Sequence, residues 1–369
     1  MKSTDQYKLF KPYTLGNIEL KNRMVMAPLT RSRAIDNNPN QLMATYYSQR
    51  AGAGLIITEG TSPSRNGIGY ARIPGIYNQI QIDGWKKVTK EVHQLGGKIF
   101  VQLMHCGRVA HPENVPSGGE VIAPSAVALT STKMYVDGKG ELDIPVAKAM
   151  EKHEIDYTIK EYRQAAKNAV EAGFDGVEIH AANGYLIGQF INKASNTRED
   201  EYGGSIENRT RFALEVTQEI IAEIGEDKVG IRLSPYGVMN EMEVSDDVEQ
   251  TYQYLTTQLN RLKVNYIHLV DHESMGAPKF SDSLRQHIRT IYNGSIILSG
   301  GYTRESAENA LESNQGDLVA FGRPFIANPD LVGRFTENAP LAIPDNNTFY
   351  TPGEEGYIDY PYLKQEVTI

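Results

Sequence analysis

Short apolar runs that are rich in β-branched residues alternate along the chain with longer amphipathic segments. Eight such runs occur, and their nearly continuous apolar character is typical of parallel strands that are buried on both faces. We predict strands at residues 23–26, 55–58, 98–103, 176–179, 229–233, 266–270, 295–298 and 318–321. Apolar residues three and four apart predict helices between them, the clearest at residues 157–172, 211–224, 248–262 and 282–292. Eight strands that alternate with helices predict an α/β fold, the (β/α)₈ or TIM barrel.

Two segments interrupt this alternation. Near the start, residues 7–20 have apolar flanks around Gly16 and Asn17, which predicts an N-terminal β-hairpin. After the third strand, residues 105–154 form a long excursion, within which residues 133–144 predict a second hairpin. A loop of this length inside a compact domain usually has a function, and we expect it to cap the barrel mouth. Because no linker or internal repeat is visible, we expect residues 1–369 to form a single domain.

Composition adds mainly exclusions. The chain has 369 residues, of which 37 are Lys or Arg and 46 are Asp or Glu, so its formal net charge is −9. This charge argues against nucleic acid as a partner, and no apolar run reaches the roughly 18 residues that a membrane span requires. Cys106 is the only cysteine, which excludes an internal disulfide and an iron–sulfur cluster held by thiolates of this chain. With no apolar leader at the start, we expect a cytoplasmic protein.

Candidate chemistry is found where the predicted strands end, because the active sites of such barrels lie at the C-terminal ends of the strands. These positions carry polar groups and glycines but few carboxylates, so they do not favour a two-metal hydrolase, and we expect no metal. They hold Pro28, Leu29, Thr30, Glu59, Gly60, Gln102, His180, Arg232, Asp271, Gly300, Gly301, Gly322 and Arg323.

Glycines end the last two strands. Gly300 and Gly301 follow strand seven, and Gly322 and Arg323 follow strand eight. Barrels often bind a phosphate here, since glycines let backbone N–H groups approach it, and an arginine can pair with it in bidentate fashion. The alternative is that the glycines only turn the chain from strand to helix. The sequence contains neither a dinucleotide-binding fingerprint nor a P-loop.

Three hydrogen-bonding side chains follow strand four. His180 and Asn183 can both donate to one oxygen of a carbonyl or nitro group, and Tyr185 can deliver a proton nearby. Each also has a structural interpretation: a buried histidine, a turn at Asn183 and Gly184, and a packed tyrosine.

These segments resemble the old yellow enzyme family of flavin-dependent ene-reductases, in particular its branch with N-ethylmaleimide, pentaerythritol tetranitrate and oxophytodienoate reductases. The resemblance runs nearly end to end and includes residues 22–30. Its most specific segment is residues 179–190, followed by 196–204, and residues 320–329 and 355–361 add to it. It implies non-covalently bound FMN, with NADPH or NADH as the reductant.

The resemblance also implies residue roles. Thr30 would bond the flavin O4, Gln102 would meet the pyrimidine edge, and Arg232 would lie by N1 and O2. The implied FMN-binding residues are Pro28, Leu29, Thr30, Gly60, Gln102, His180, Arg232, Gly300, Gly301, Gly322, Arg323, Phe349 and Tyr350. The implied substrate-binding residues are Tyr70, Met104, His180, Asn183 and Tyr350.

The implied reaction is the reduction of a small electron-poor alkene. Hydride passes from the nicotinamide to flavin N5 and then to the β-carbon, His180 and Asn183 hold the activating oxygen, and Tyr185 protonates the α-carbon. Reduction of nitro compounds, nitrate esters or quinones at the same site is an alternative, as is a non-catalytic flavin-binding protein. A flavin-free aldolase or isomerase is disfavoured because no strand end carries a lysine. Met104 stands where many relatives carry tryptophan, which leaves product stereochemistry open. We expect a monomer or weak homo-oligomer.

Overall fold

The computed structural model describes residues 6–363, in which eight parallel strands close into a barrel. The strands of this described part are β1 Tyr13–Leu15, β2 Ile18–Leu20, β3 Met24–Met26, β4 Leu55–Thr61, β5 Ile99–Leu103, β6 Ile122–Ala123, β7 Lys133–Val136, β8 Gly140–Asp143, β9 Lys148–Ala149, β10 Gly176–Ala181, β11 Val229–Leu233, β12 Tyr266–Val270, β13 Ser295–Ser299 and β14 Leu318–Phe321. Its α-helices are α1 Gln41–Gln49, α2 Gln79–Gln94, α3 Lys152–Glu171, α4 Leu186–Ile191, α5 Ile206–Ile224, α6 Val248–Arg261, α7 Asp282–Ile291, α8 Arg304–Glu312, α9 Arg323–Ala327 and α10 Leu331–Glu337.

The predicted (β/α)₈ barrel is confirmed. The barrel runs β3-β4-β5-β10-β11-β12-β13-β14 and closes back on β3, and each predicted apolar run coincides with one of these strands. Some strands and helices end at other residues than predicted, because a bulge or a cap sets the boundary. The strand β4 continues to Thr61 through a bulge between Ile57 and Gly60. The helix α3 begins earlier than predicted because Glu151 and Glu154 form a capping box.

The barrel has two apolar layers, because successive side chains of a strand point to opposite faces. Interior residues such as Ile57, Phe100 and Ile297 form one cluster, and the strand residues between them pack outward against the helices. Leu15 and Leu20 from the N-terminal hairpin β1–β2 join the interior cluster. Both predicted hairpins are present, the second as β7–β8.

The long excursion after β5 is tied to loops at the C-terminal end of the barrel. The carboxylate of Glu241, in the loop after β11, accepts hydrogen bonds of 2.8–3.0 Å from the backbone N–H groups of Thr130, Ser131 and Thr132. Arg72, in the loop after β4, forms a salt bridge with Asp137 at the tip of the second hairpin. These contacts hold the excursion beside the open end of the barrel.

Candidate active site

A cavity of about 530 Å³ opens at the C-terminal end of the barrel. Sixteen of the predicted site residues line it, and the strand ends and the C-terminal segment contribute them together: Pro28, Leu29, Thr30, Gly60, Gln102, Met104, His180, Asn183, Tyr185, Arg232, Gly300, Gly301, Gly322, Arg323, Phe349 and Tyr350. A concave site at this end of the barrel is where ligands of such folds bind. The structure thus brings these side chains to one cavity, and their individual roles stay predictions.

The imidazole of His180 is neutral in this cavity at neutral pH. Burial lowers the pKa of its imidazole well below the ordinary value, and the nearby positive charge of Arg232 lowers it further. Its buried Nδ1 has no hydrogen-bond partner among residues 6–363. A neutral imidazole carries one N–H donor, which suits it to bind an oxygen rather than to supply a proton at neutral pH.

Asn183 is held in the left-handed conformation, with φ of 59°. Its backbone N–H donates to Ser234 Oγ at 2.9 Å, and its carbonyl accepts from Asn240 Nδ2 at 2.8 Å. The amide oxygen of Asn183 is buried without a partner in the described part of the chain. The backbone is therefore fixed from two sides while the side chain stays available to a ligand.

Tyr185 keeps its phenol protonated. Burial raises the pKa of its hydroxyl above the ordinary value, and its ring lies 5.1 Å from the His180 ring between centroids. Tyr70 does not line the cavity itself: its hydroxyl lies 3.0 Å from the Tyr185 hydroxyl, one layer behind. Its role in substrate binding stays a prediction, and the structure adds the contact with Tyr185.

The glycines after β13 have conformations that other residues rarely adopt. Gly300 has φ of +137°, and a Cβ there would lie 2.3 Å from the carbonyl oxygen of Asp271. Gly301 has φ of +70°. After β14, Gly322 precedes the short helix α9, whose first residue is the exposed Arg323. Backbone N–H groups and a guanidinium thus border the same end of the cavity, as a phosphate site requires.

The amide of Gln102 and the guanidinium of Arg232 both line the floor of the cavity. Gln102 Nε2 donates to the buried carboxylate of Glu178 at 2.7 Å, which fixes the orientation of the Gln102 amide because a carboxylate only accepts. Arg232 is 7% exposed, and its buried Nε has no partner among the described residues. An amide group and an unsatisfied guanidinium fit the pyrimidine edge of a flavin, which offers N3–H as a donor and O2 and N1 as acceptors.

The C-terminal segment supplies one wall. Arg31 Nε and Arg33 Nη1 donate to the carbonyl oxygen of Phe349 at 3.1 and 2.9 Å. Arg72 Nη2 donates to the carbonyl oxygen of Tyr350 at 2.8 Å, while the Tyr350 side chain is largely exposed at the mouth. These arginines fix the segment so that both aromatic rings border the cavity.

Sequence reasoning missed part of the lining. The loops after β11, β12 and β13 add Met239, His272, Ser274, Met275 and Tyr302, and Asp271, a predicted strand-end residue, also lines the cavity. The loop residues lie beyond the predicted strand ends, where no periodic pattern marks a position. Two histidines belong to β12 and the loop after it. His272, just after β12, lines the cavity, and His268, within β12, bonds Glu178 inside the barrel.

Neither a metal centre nor a membrane span is visible in the described residues. Within residues 6–363, no three His, Cys, Asp or Glu residues are grouped in a way that suits a metal ion. In the same part of the chain, every helix lacks the length and apolar character that crossing a membrane requires.

Comparison with known proteins places the chain among flavin enzymes. Residues 8–342 match the family model described as the NADH:flavin oxidoreductase / NADH oxidase family. The chain is 43% identical, over 96% of its length and 97% of the relative, to a probable flavin mononucleotide-dependent alkene reductase from Leishmania infantum.

Solved structures agree. Morphinone reductase in complex with tetrahydroNAD superposes with a TM-score of 0.92 and 43% identity, covering 96% of this chain and 98% of that one. The old yellow enzyme homologue from Zymomonas mobilis gives a TM-score of 0.91 and 41% identity, covering 96% and 99%. The similarity therefore extends over the entire barrel.

Proposed function

The chain belongs to the NADH:flavin oxidoreductase / NADH oxidase family, the old yellow enzyme family, and from this premise we propose that it reduces small electron-poor alkenes. It is an FMN-dependent oxidoreductase that takes its electrons from a nicotinamide. As the reductant we propose NADPH, with NADH as the alternative to be compared with it.

The cavity residues fit FMN. Gln102 and Arg232 would hold the pyrimidine edge, Thr30 would bond O4, and Gly301 and Arg323 would hold the phosphate. The chemistry that bound FMN supplies is two-electron transfer, with hydride arriving from the nicotinamide and leaving to the β-carbon of the alkene. The protein contributes orientation and electrostatics.

Residues at the C-terminal end of β10 and in the loop after it act on the alkene. His180 and Asn183 donate to its carbonyl or nitro oxygen, which withdraws electron density and makes the β-carbon accept hydride. Tyr185 then gives its phenolic proton to the α-carbon. Tyr70, 3.0 Å behind it, stabilises the hydroxyl in place.

The convergence of His180, Asn183 and Tyr185 with Gln102 and Arg232 at one cavity carries the proposal. The test is an anaerobic visible spectrum of the purified protein, recorded before and after NADPH and again after 2-cyclohexenone. We expect flavin bands that bleach with NADPH and return with the enone. A protein that neither carries nor takes up FMN would refute the proposal, and bands that bleach but stay bleached would refute the alkene as oxidant. Repeating the first step with NADH decides the preferred reductant.

We further propose that the protein acts in the cytoplasm as a monomer or weak homo-oligomer, without a nucleic-acid partner. The net charge of −9 and the buried free thiol of Cys106 support this. Sedimentation of the purified protein tests the oligomeric state.

A further inference from the structure

Glu178 is a carboxylate inside the barrel, below the floor of the cavity. Along β10, Val177 and Ile179 pack into the outer layer, so Glu178 and His180 face the interior. The Glu178 side chain is completely buried, and the interior cluster around it is apolar. Burying a carboxylate in such surroundings is costly unless partners satisfy it, so its presence calls for a reason.

Three donors converge on this carboxylate. Gln102 Nε2 lies 2.7 Å from Oε1, while His268 Nδ1 and the Tyr266 hydroxyl lie 2.8 and 3.2 Å from Oε2. Because an ionised carboxylate only accepts, His268 must carry its proton on Nδ1, and the Gln102 amide can have only one orientation.

The barrel backbone is built to allow these contacts. Gly230 pairs with both Glu178 and Tyr266 in the sheet, and a Cβ on Gly230 would lie 2.1 Å from the Tyr266 ring. Only a glycine lets that ring cross to the carboxylate. The contact between Glu178 and Tyr266 therefore depends on a specific residue of the strand between them.

Arg232 balances the charge. It is the next interior residue after Gly230 on β11 and lines the cavity floor. Burial by itself raises the pKa of Glu178, but His268, Arg232 and Gln102 outweigh burial and hold that pKa below its ordinary value. Burial lowers the pKa of His268. The Glu178 carboxylate and the Arg232 guanidinium lie on the neighbouring strands β10 and β11, and His268 lies on the next strand, β12.

We infer that Glu178 is a positioning residue for the flavin. It orients the Gln102 amide toward the pyrimidine edge and offsets the charge of Arg232, and thereby lowers the two-electron reduction potential of bound FMN. This inference rests on the proposed function, since it concerns the same bound FMN.

Glu178 lowers the potential because of where negative charge accumulates when the flavin is reduced. Reduction adds negative charge to the pyrimidine side of the flavin, which the guanidinium of Arg232 stabilises. A buried carboxylate close to that guanidinium opposes this stabilisation, because charges interact strongly away from water. Glu178 therefore keeps the bound flavin a stronger hydride donor than Arg232 alone would allow.

The test is E178Q in the FMN-loaded protein, with the potential measured by anaerobic redox titration against a dye at pH 7. Glutamine keeps the size and one acceptor for Gln102, and His268 can move its proton to Nε2 to accept from the new amide. Only the charge is lost. We expect the ratio of the dissociation constants of oxidised and reduced FMN to change at least tenfold toward the reduced form. This change equals a rise of about 30 mV for a two-electron couple.

The matched control is Y266F, which removes one donor but keeps the carboxylate. If Glu178 only stabilised the fold, both E178Q and Y266F would be less stable and both would keep the wild-type reduction potential. That result would overturn the inference. We expect Y266F to shift the ratio less than threefold. If E178Q does not fold, E178D keeps the charge but withdraws it from Gln102, and we expect its FMN affinity to fall at least fivefold. Wild-type affinity in E178D would also overturn the inference. A wild-type protein without FMN would instead refute the proposed function.

Discussion

Tyr185→Phe separates the two halves of the proposed reaction. The substitution removes a single oxygen atom from a ring that packs beside His180, so the cavity keeps its shape. Reduction of FMN by the nicotinamide needs no proton donor over the ring and should proceed at the wild-type rate. Protonation of the alkene loses its donor and should slow.

The expected magnitude follows from the contacts. A positioned general acid contributes about 10²–10⁴-fold, or about 2.7–5.4 kcal/mol of barrier. The lost hydrogen bond to Tyr70 costs only about 1 kcal/mol of folding stability, so unfolding cannot explain a loss of that size. Because burial raises the pKa of Tyr185, the wild-type rate of this step should be flat between about pH 6 and 9.

The assay is stopped-flow absorbance under anaerobic conditions, with each half-reaction followed separately. Tyr70→Phe is the matched control, because it removes the same hydrogen bond but leaves the Tyr185 proton. We expect Y70F to slow alkene reduction less than tenfold. A Y185F variant that oxidises within threefold of wild type would refute the assignment of Tyr185 as the proton donor.

Three further predictions test the supports of the site. Gly300→Ala should weaken FMN binding, because a Cβ there would lie 2.3 Å from the backbone carbonyl oxygen of Asp271; flavin fluorescence measures the affinity. The control is Gly96→Ala, which also has positive φ but open space around it and should leave FMN affinity unchanged. Asn240→Ala removes the bond to the Asn183 carbonyl and should raise KM for the enone severalfold more than it lowers kcat; an unchanged KM would contradict this positioning role. Burial raises the pKa of Glu241, but the N–H groups of residues 130–132 outweigh it and hold that pKa well below its ordinary value. The carboxylate therefore stabilises the fold above about pH 4, its unfolded pKa, and the Tm difference between wild type and E241Q should shrink as the pH falls below that value.

The order of strands and helices was predictable because burial on both faces leaves little choice of residue in a parallel strand. For Val229–Leu233, for example, the predicted strand and the observed strand have the same bounds. The helix starts were less predictable. Ser205 caps α5 through the backbone N–H of Asn208, so the helix begins at Ile206, five residues before the predicted start at residue 211.

The grouping of the candidate catalytic side chains was predictable for a different reason. His180, Asn183 and Tyr185 follow one strand end, so chain proximity alone brings them together. Tyr70 lies on another loop, and its place behind Tyr185 depends on how two loops pack, which no local pattern encodes. The same holds for Ser274, which lies beside Gly301: a Cβ on Gly301 would be 3.1 Å from Ser274 Oγ.

Two buried glutamates on barrel strands show what else strand periodicity can predict. Glu59 lies at a predicted strand end and is therefore a candidate for chemistry. In the structure it is buried against Tyr47 and the Arg31 backbone, and burial raises its pKa to about 7. Glu178 lies within a predicted strand, where a search of strand ends does not select it. Because strand side chains alternate, its place two residues before His180 already puts it on the same face, directly below the site. A charged residue inside a buried strand, in phase with a candidate catalytic residue, is therefore itself a candidate for function.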